Sequence, residues 1–143
     1  MIDEQAQSLS EYRLNKAKNL LNQAELLLTN QRYDGSINRS YYAIFNAIRA
    51  VLALVRLDSR SHQGVIAYFD RYFVKPGIFE KQFSKIIHTA FDTRQDNDYE
   101  DFYDPSEADA QNQYENARLF IREIENKRES FIEGTISLPV ITQ

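Results

Sequence analysis

The chain contains no cysteine and no tryptophan, and its 143 residues include only four glycines and three prolines. The first absence excludes a disulfide framework, a thiolate metal site and a cysteine nucleophile together. Scarce glycine and proline leave little material for turns, which predicts long helices. No apolar run approaches the roughly 18 residues that a membrane span requires. Met1 to Ser10 is polar and acidic, unlike the basic then apolar opening of a signal peptide. A cytoplasmic protein with no membrane partner is therefore expected. Nine Tyr and nine Phe are present, and hydrophobic residues at 43% with charged residues at 27% match an ordinary folded domain rather than a disordered chain. The length suits one domain with a real core.

From Ser10, a plausible N-cap, the apolar positions Leu14, Ala17, Leu20, Leu21, Ala24, Leu27 and Leu28 step as an amphipathic helix. After Gln31 to Gly35, the positions Ile37, Tyr41, Tyr42, Ile44, Phe45, Ile48, Val51, Leu52, Leu54 and Val55 wrap more than one face, as in a central helix. Val65 to Phe73 fits a third helix, closed by Lys75-Pro76-Gly77. A fourth runs from Ile78 or Phe79 to Phe91, and Asp92 to Asp104 then turns polar and acidic. Asp104-Pro105 resembles an N-cap followed by proline at the first helical position, opening a fifth helix through Phe131. The expectation is an all-α, up-and-down bundle of about five helices over residues 1–134, with 135–143 an extended or disordered tail.

The net charge of −4 conceals a division along the chain. Between Arg32 and Lys85 nine basic residues face four acidic ones, whereas Asp92 to Asp109 holds eight acids and only Arg94. A basic middle can bind phosphates locally although the overall sign opposes non-specific duplex binding. No glycine-rich phosphate loop and no paired-histidine zinc helix is present, and the acidic run Asp96 to Asp104 has no glycine for the sharp turn of a calcium loop. No metal and no cofactor is expected.

The central helix carries the informative element, Asn38-Arg39-Ser40-Tyr41-Tyr42-Ala43-Ile44-Phe45-Asn46. Seven residues at about 100° each place Arg39 and Asn46 on nearly one face, about 10 Å apart along the axis. An arginine in a helix otherwise built for burial needs a partner. It pairs either with an acid such as Asp98 or Asp101, or with a phosphate whose oxygens its fork of donors matches.

Asn38 to Ala47 resembles the signature helix of the HEPN family (higher eukaryotes and prokaryotes nucleotide-binding), whose usual form is Asn-Arg-Ala-Tyr-Tyr-Ala-x-Phe-His-Ala. His62 to Ile66, with Phe69 and Phe73 to Gly77, is similar to the family's second block, and Arg94 with Asp98-Tyr99 to its third. The resemblance implies a helical bundle that commonly dimerises. It also implies metal-independent RNA cleavage, by a motif of an Arg followed after four to six residues by a His. Many such proteins are toxins paired with a minimal nucleotidyltransferase antitoxin. Arg39 matches the motif Arg, and Asn46 stands where the His belongs. An amide hydrogen-bonds but does not exchange a proton near neutral pH, so His62 is the nearest candidate to join Arg39 in catalysis. Asn38, Ser40, Tyr42, Asn46, Arg94, Asp98 and Tyr99 are the candidate binding residues for RNA or a nucleotide. Three functions remain open: an RNA-cleaving or RNA-binding toxin component, a catalytically inactive nucleotide- or partner-binding module, and a purely structural dimerisation domain.

Overall fold

The computed structural model describes residues 2–142. Five helices, with no strand among the described residues, form an all-α bundle: α1 (Glu4–Thr29), α2 (Tyr33–Leu54), α3 (His62–Phe69), α4 (Lys81–Tyr99) and α5 (Glu107–Glu133). None is long and apolar enough to cross a membrane.

Helix α2 is the axis of the molecule. It packs against all four other helices, as its apolar residues around the whole circumference require. Against α1 the approach is close because small residues line both sides: Ser36 and Ser40 of α2 and Ala17 and Ala24 of α1 are fully buried, and the Ser36 hydroxyl donates to the Ala24 carbonyl at 2.8 Å. At one end of the core six phenylalanines interlock, with Phe69 5.2 Å from Phe79 and Phe83 5.5 Å from Phe120 between ring centroids. Phe73 and Phe131 complete that cluster. Offset and edge-on rings bury much apolar area in little backbone, so the abundance of Phe substitutes for the missing Trp.

Several helix boundaries differ from the sequence reading. Helix α1 begins at Glu4, not after Ser10, because Asp3 caps it through Oδ1 to the Ala6 amide at 2.8 Å. Its first turn is polar and gives no apolar period. Ser10 is instead buried and accepts from Arg128 Nε at 2.7 Å. Helix α5 is capped by Ser106 in a reciprocal capping box with Asp109, so Asp104-Pro105 precedes the cap. Helix α4 starts later than expected, at Lys81, and continues through the acidic stretch to Tyr99. The acids there decorate a helix that has run past the core.

Helix α3 passes without a break into a π-helical turn, Asp70–Val74, whose Lys75 amide reaches the Asp70 carbonyl at 2.8 Å. The extra residue per turn brings both Tyr72 and Phe73 inward. Residues 135–142 have no regular secondary structure. Ile136, Leu138 and Ile141 lie against the core, and the Tyr72 hydroxyl donates to the Thr142 carbonyl.

Candidate functional site

Arg39 and Asn46 share one face of α2, which is open at Arg39 and closed at Asn46. Arg39 is half-buried and finds no carboxylate among the described residues. Its Nε donates to Gln23 Oε1 at 3.3 Å and its Nη1 to Asn38 Oδ1 at 3.0 Å, two neutral acceptors that aim the guanidinium without neutralising it. Of the two alternatives for this arginine, the pair with Asp98 is not formed, since Asp98 belongs to Arg94.

Arg94, on α4, is the cation that the fold consumes. Its Nη2 donates to the Tyr42 hydroxyl at 2.7 Å, and its Nε lies 3.0 Å from Asp98 Oδ2, one turn along the helix. That ion pair sits off the N–H direction, leaving the Nε hydrogen without a partner in line. The guanidinium also stands 5.3 Å from the Tyr42 ring centroid, 5.4 Å from Tyr41 and 5.8 Å from Tyr99. Such stacking on aromatic faces strengthens as the cation is desolvated.

Asn46 is 4% exposed, and its Nδ2 donates to the Tyr42 carbonyl one turn back at 2.8 Å. Ser40 is sealed inside with its hydroxyl unpaired. It contributes to the close α1–α2 approach, and its burial keeps it from a ligand on the open face.

His62 is the first residue of α3, held there by the Ser61 cap, which accepts from the Gly64 amide at 2.9 Å. A Cβ at position 64 would meet Ser59 Oγ at 2.1 Å, so only glycine lets the 58–61 loop fold this tightly onto the helix start. The imidazole stacks on Phe45 at 4.3 Å and on Tyr41 at 5.7 Å, with Tyr42 edge-on at 5.9 Å. Its Nδ1 is 2.6 Å from the Tyr41 hydroxyl. Burial, then the charges of Arg94 and Arg49, push the His62 pKa below the usual histidine range, so the ring is neutral at neutral pH. Burial raises the Tyr41 phenol far above its ordinary value. Tyr41 therefore keeps its proton and His62 is a neutral imidazole, and the two share one hydrogen bond through Nδ1.

The structure thus gathers Tyr42, Asn46, His62 and Arg94 around the middle of α2, while Asp98 and Tyr99 join through Arg94 and follow α4 toward the α2 start, where Asn97 donates to the Asp34 carbonyl. Arg39 and Asn38 lie toward that start, with Arg39 about 9 Å along the axis from the level of Phe45. Two residues that sequence reasoning did not assign complete the picture. Tyr41 fixes the imidazole, and Arg13 of α1 lines up with Arg49 on a shared Asp58, at 3.5 and 3.3 Å. Nothing in the periodicity separates Tyr41 from an ordinary core tyrosine. A signal for Arg13 exists, because it interrupts the buried stripe of α1 beside Leu14. His88 is exposed on α4 and pairs with Asp70 at 2.7 Å, outside this cluster.

Residues 10–127 match the HEPN domain family. A Thermotoga maritima chain named "UPF0332 protein" is 34% identical over 119 residues, 83% of this chain and 90% of that one. "Putative toxin MJ0605" of Methanocaldococcus jannaschii is 33% identical over 123 residues, covering 86% of this chain and 88% of its own length. "Putative toxin MJ0142" of the same organism is 29% identical over 87 residues, or 61% and 59% of the two chains. The extent of these matches agrees with the bundle and with the order of the three sequence blocks along it, and this chain belongs to the HEPN domain family.

Proposed function

We propose that the chain is the toxin-like, RNA-directed member of a prokaryotic pair, acting as a homodimer and restrained by a minimal nucleotidyltransferase partner. The observation that carries this reading is the contrast between two arginines on neighbouring elements. Arg94 has its charge met by Asp98 and lies among three tyrosine rings, whereas Arg39 is aimed by neutral groups and keeps its charge for an outside anion. A phosphodiester supplies the oxygens that a guanidinium fork fits. That two relatives are named as toxins supports the toxin-like context.

In metal-independent cleavage, Arg39 would stabilise charge developing on the phosphoryl oxygens, and His62 is the one imidazole of the cluster able to exchange a proton. A second reading, an inactive nucleotide- or partner-binding module, draws support from the same face. The Asn46 amide is back-bonded to Tyr42, and Nδ1 of His62 is taken up by the Tyr41 hydroxyl. Together these favour binding of a phosphate over proton transfer.

The deciding experiment measures growth after induction, together with binding and cleavage of single-stranded RNA by the purified chain in chelator. Growth arrest, with salt-dependent RNA binding that Arg39→Ala removes, is the expected result. Binding of RNA or nucleotide with unimpaired growth and no cleavage selects the inactive module. Unimpaired growth with no affinity for RNA or nucleotide at low salt overturns both.

A further inference from the structure

On the side of the bundle formed by α4 and α5, the two helices leave a cleft of about 430 Å3. Hydroxyls of Thr89 and Thr93 on α4 face amides of Asn112, Gln113 and Asn116 on α5, and Tyr103 of the α4–α5 connection joins them. Among the described residues none of these six side chains has a hydrogen-bond partner.

Gln113 is the decisive residue. It occupies the inward stripe of α5 with Ala110, Tyr114 and Ala117, where an apolar side chain would continue the core. It is 8% exposed, and neither of its amide atoms is sealed from solvent, so the little surface it keeps includes the amide that lines the cleft. A glutamine in a core stripe forgoes apolar burial while its amide meets only the solvent of the cleft, which a ligand edge would replace.

The lining also tells which chemistry fits. It includes no cation, so a phosphate has nothing to pair with there. Its one acid, Asp109, is already engaged with the Ser106 amide in the α5 cap. What remains is a set of neutral groups, three of them amides that each donate and accept, beside a phenol ring. Amides of this kind pair two-pronged with the mixed donor and acceptor edge of a base, and a tyrosine ring offers a stacking face. We infer that the α4–α5 cleft binds an unphosphorylated nucleobase, carried either by a free nucleoside or by an unpaired position of an RNA, through Gln113, Asn116 and Tyr103. The inference does not rest on Arg39 or on the function proposed for its face.

The test is calorimetry of the full chain with the four ribonucleosides, their monophosphates and ribose, followed by single-stranded RNA. At least one nucleoside should bind, and in the Arg39→Ala background, where the other phosphate-directed cation is gone, its monophosphate should bind within about twofold because no cation lines the cleft. Gln113→Leu, which restores the apolar stripe and should fold, is expected to weaken binding roughly tenfold or more. Tyr103→Ala provides a second variant outside the core, and Arg39→Ala should leave nucleoside affinity unchanged. An effect of both variants on the nucleoside identifies a free ligand, and an effect on RNA alone identifies an unpaired base. Ribose binding as well as the nucleosides, or no response of nucleoside or RNA to either variant, overturns the inference. Side-chain amide NMR signals of Gln113 that shift on addition of nucleoside would separate direct contact from a change in stability.

Discussion

The Tyr41 hydroxyl and Nδ1 of His62 share a hydrogen bond of 2.6 Å, tying the buried face of the central helix to the first residue of α3. Replacing Tyr41 with Phe keeps the ring and its stacking on His62 but removes the hydroxyl. The expected cost is about 1 kcal/mol, that of a neutral hydrogen bond. Urea denaturation measures it. Nitrogen chemical shifts of the imidazole should show loss of a single fixed tautomer, since Nδ1 then has no fixed partner.

His62 also predicts the pH dependence of stability. Burial and the charges of Arg94 and Arg49 lower its pKa in the folded chain, whereas the unfolded chain titrates near the usual value of about 6.5. Below that pH the unfolded state binds the proton first, so stability is complete above about pH 6.5 and declines as pH falls through it. Melting temperatures between pH 7.5 and pH 5 should drop more steeply for the wild type than for His62→Gln. Equal slopes would remove His62 from the account.

Arg94 and Arg39 should separate stability from function. Arg94→Met loses the bond to Tyr42, the Asp98 pair and three aromatic faces, with an expected destabilisation of about 1–3 kcal/mol. Arg39→Ala breaks only contacts to neutral side chains and should stay within about 0.5 kcal/mol of the wild type. RNA affinity should show the reverse order. Parallel denaturation curves and RNA titrations of the two variants check both halves.

Asn46→His tests whether the face lacks only a proton-exchanging group. The new imidazole would stand on the Arg39 side of α2, one turn beyond Tyr42. Chelator-resistant RNA cleavage is expected to rise about 100-fold, the lower end of general acid–base contributions. An unchanged rate, with RNA binding intact, would mean that the face binds the phosphodiester without positioning it for attack.

Helix α2 was legible from its sequence because twenty residues of unbroken apolar pattern admit no other element. The pairing of Arg39 and Asn46 on one face followed from periodicity. Helix starts were misread where a cap, not an apolar residue, opens the helix: Asp3 and Ser106 act through single hydrogen bonds that hydrophobic period does not register. The continuation of α4 to Tyr99 was hidden because its last turns are held by Arg94 and by Asn97 donating to the Asp34 carbonyl, contacts from elsewhere in the chain. The π-helical turn was illegible for a related reason. Its register is set by the inward packing of Tyr72 and Phe73. At the site, the motif helix was legible while the division of labour between Arg39 and Arg94 was not, since it depends on which acid each arginine reaches.

Gly64 gives the site a gauge of its own assembly. Its amide is held by the Ser61 hydroxyl, and the absence of a side chain lets Ser59 close over it. The imidazole two residues earlier is carried by the same helix start and is held from the other side by the Tyr41 hydroxyl and the Phe45 ring. Opening of the 58–61 loop would release the Gly64 amide to solvent and leave those two contacts alone to hold His62. Comparing the hydrogen-exchange rate of this single amide in the wild type and in Tyr41→Phe therefore reads how far the two attachments support one another, in the absence of any ligand.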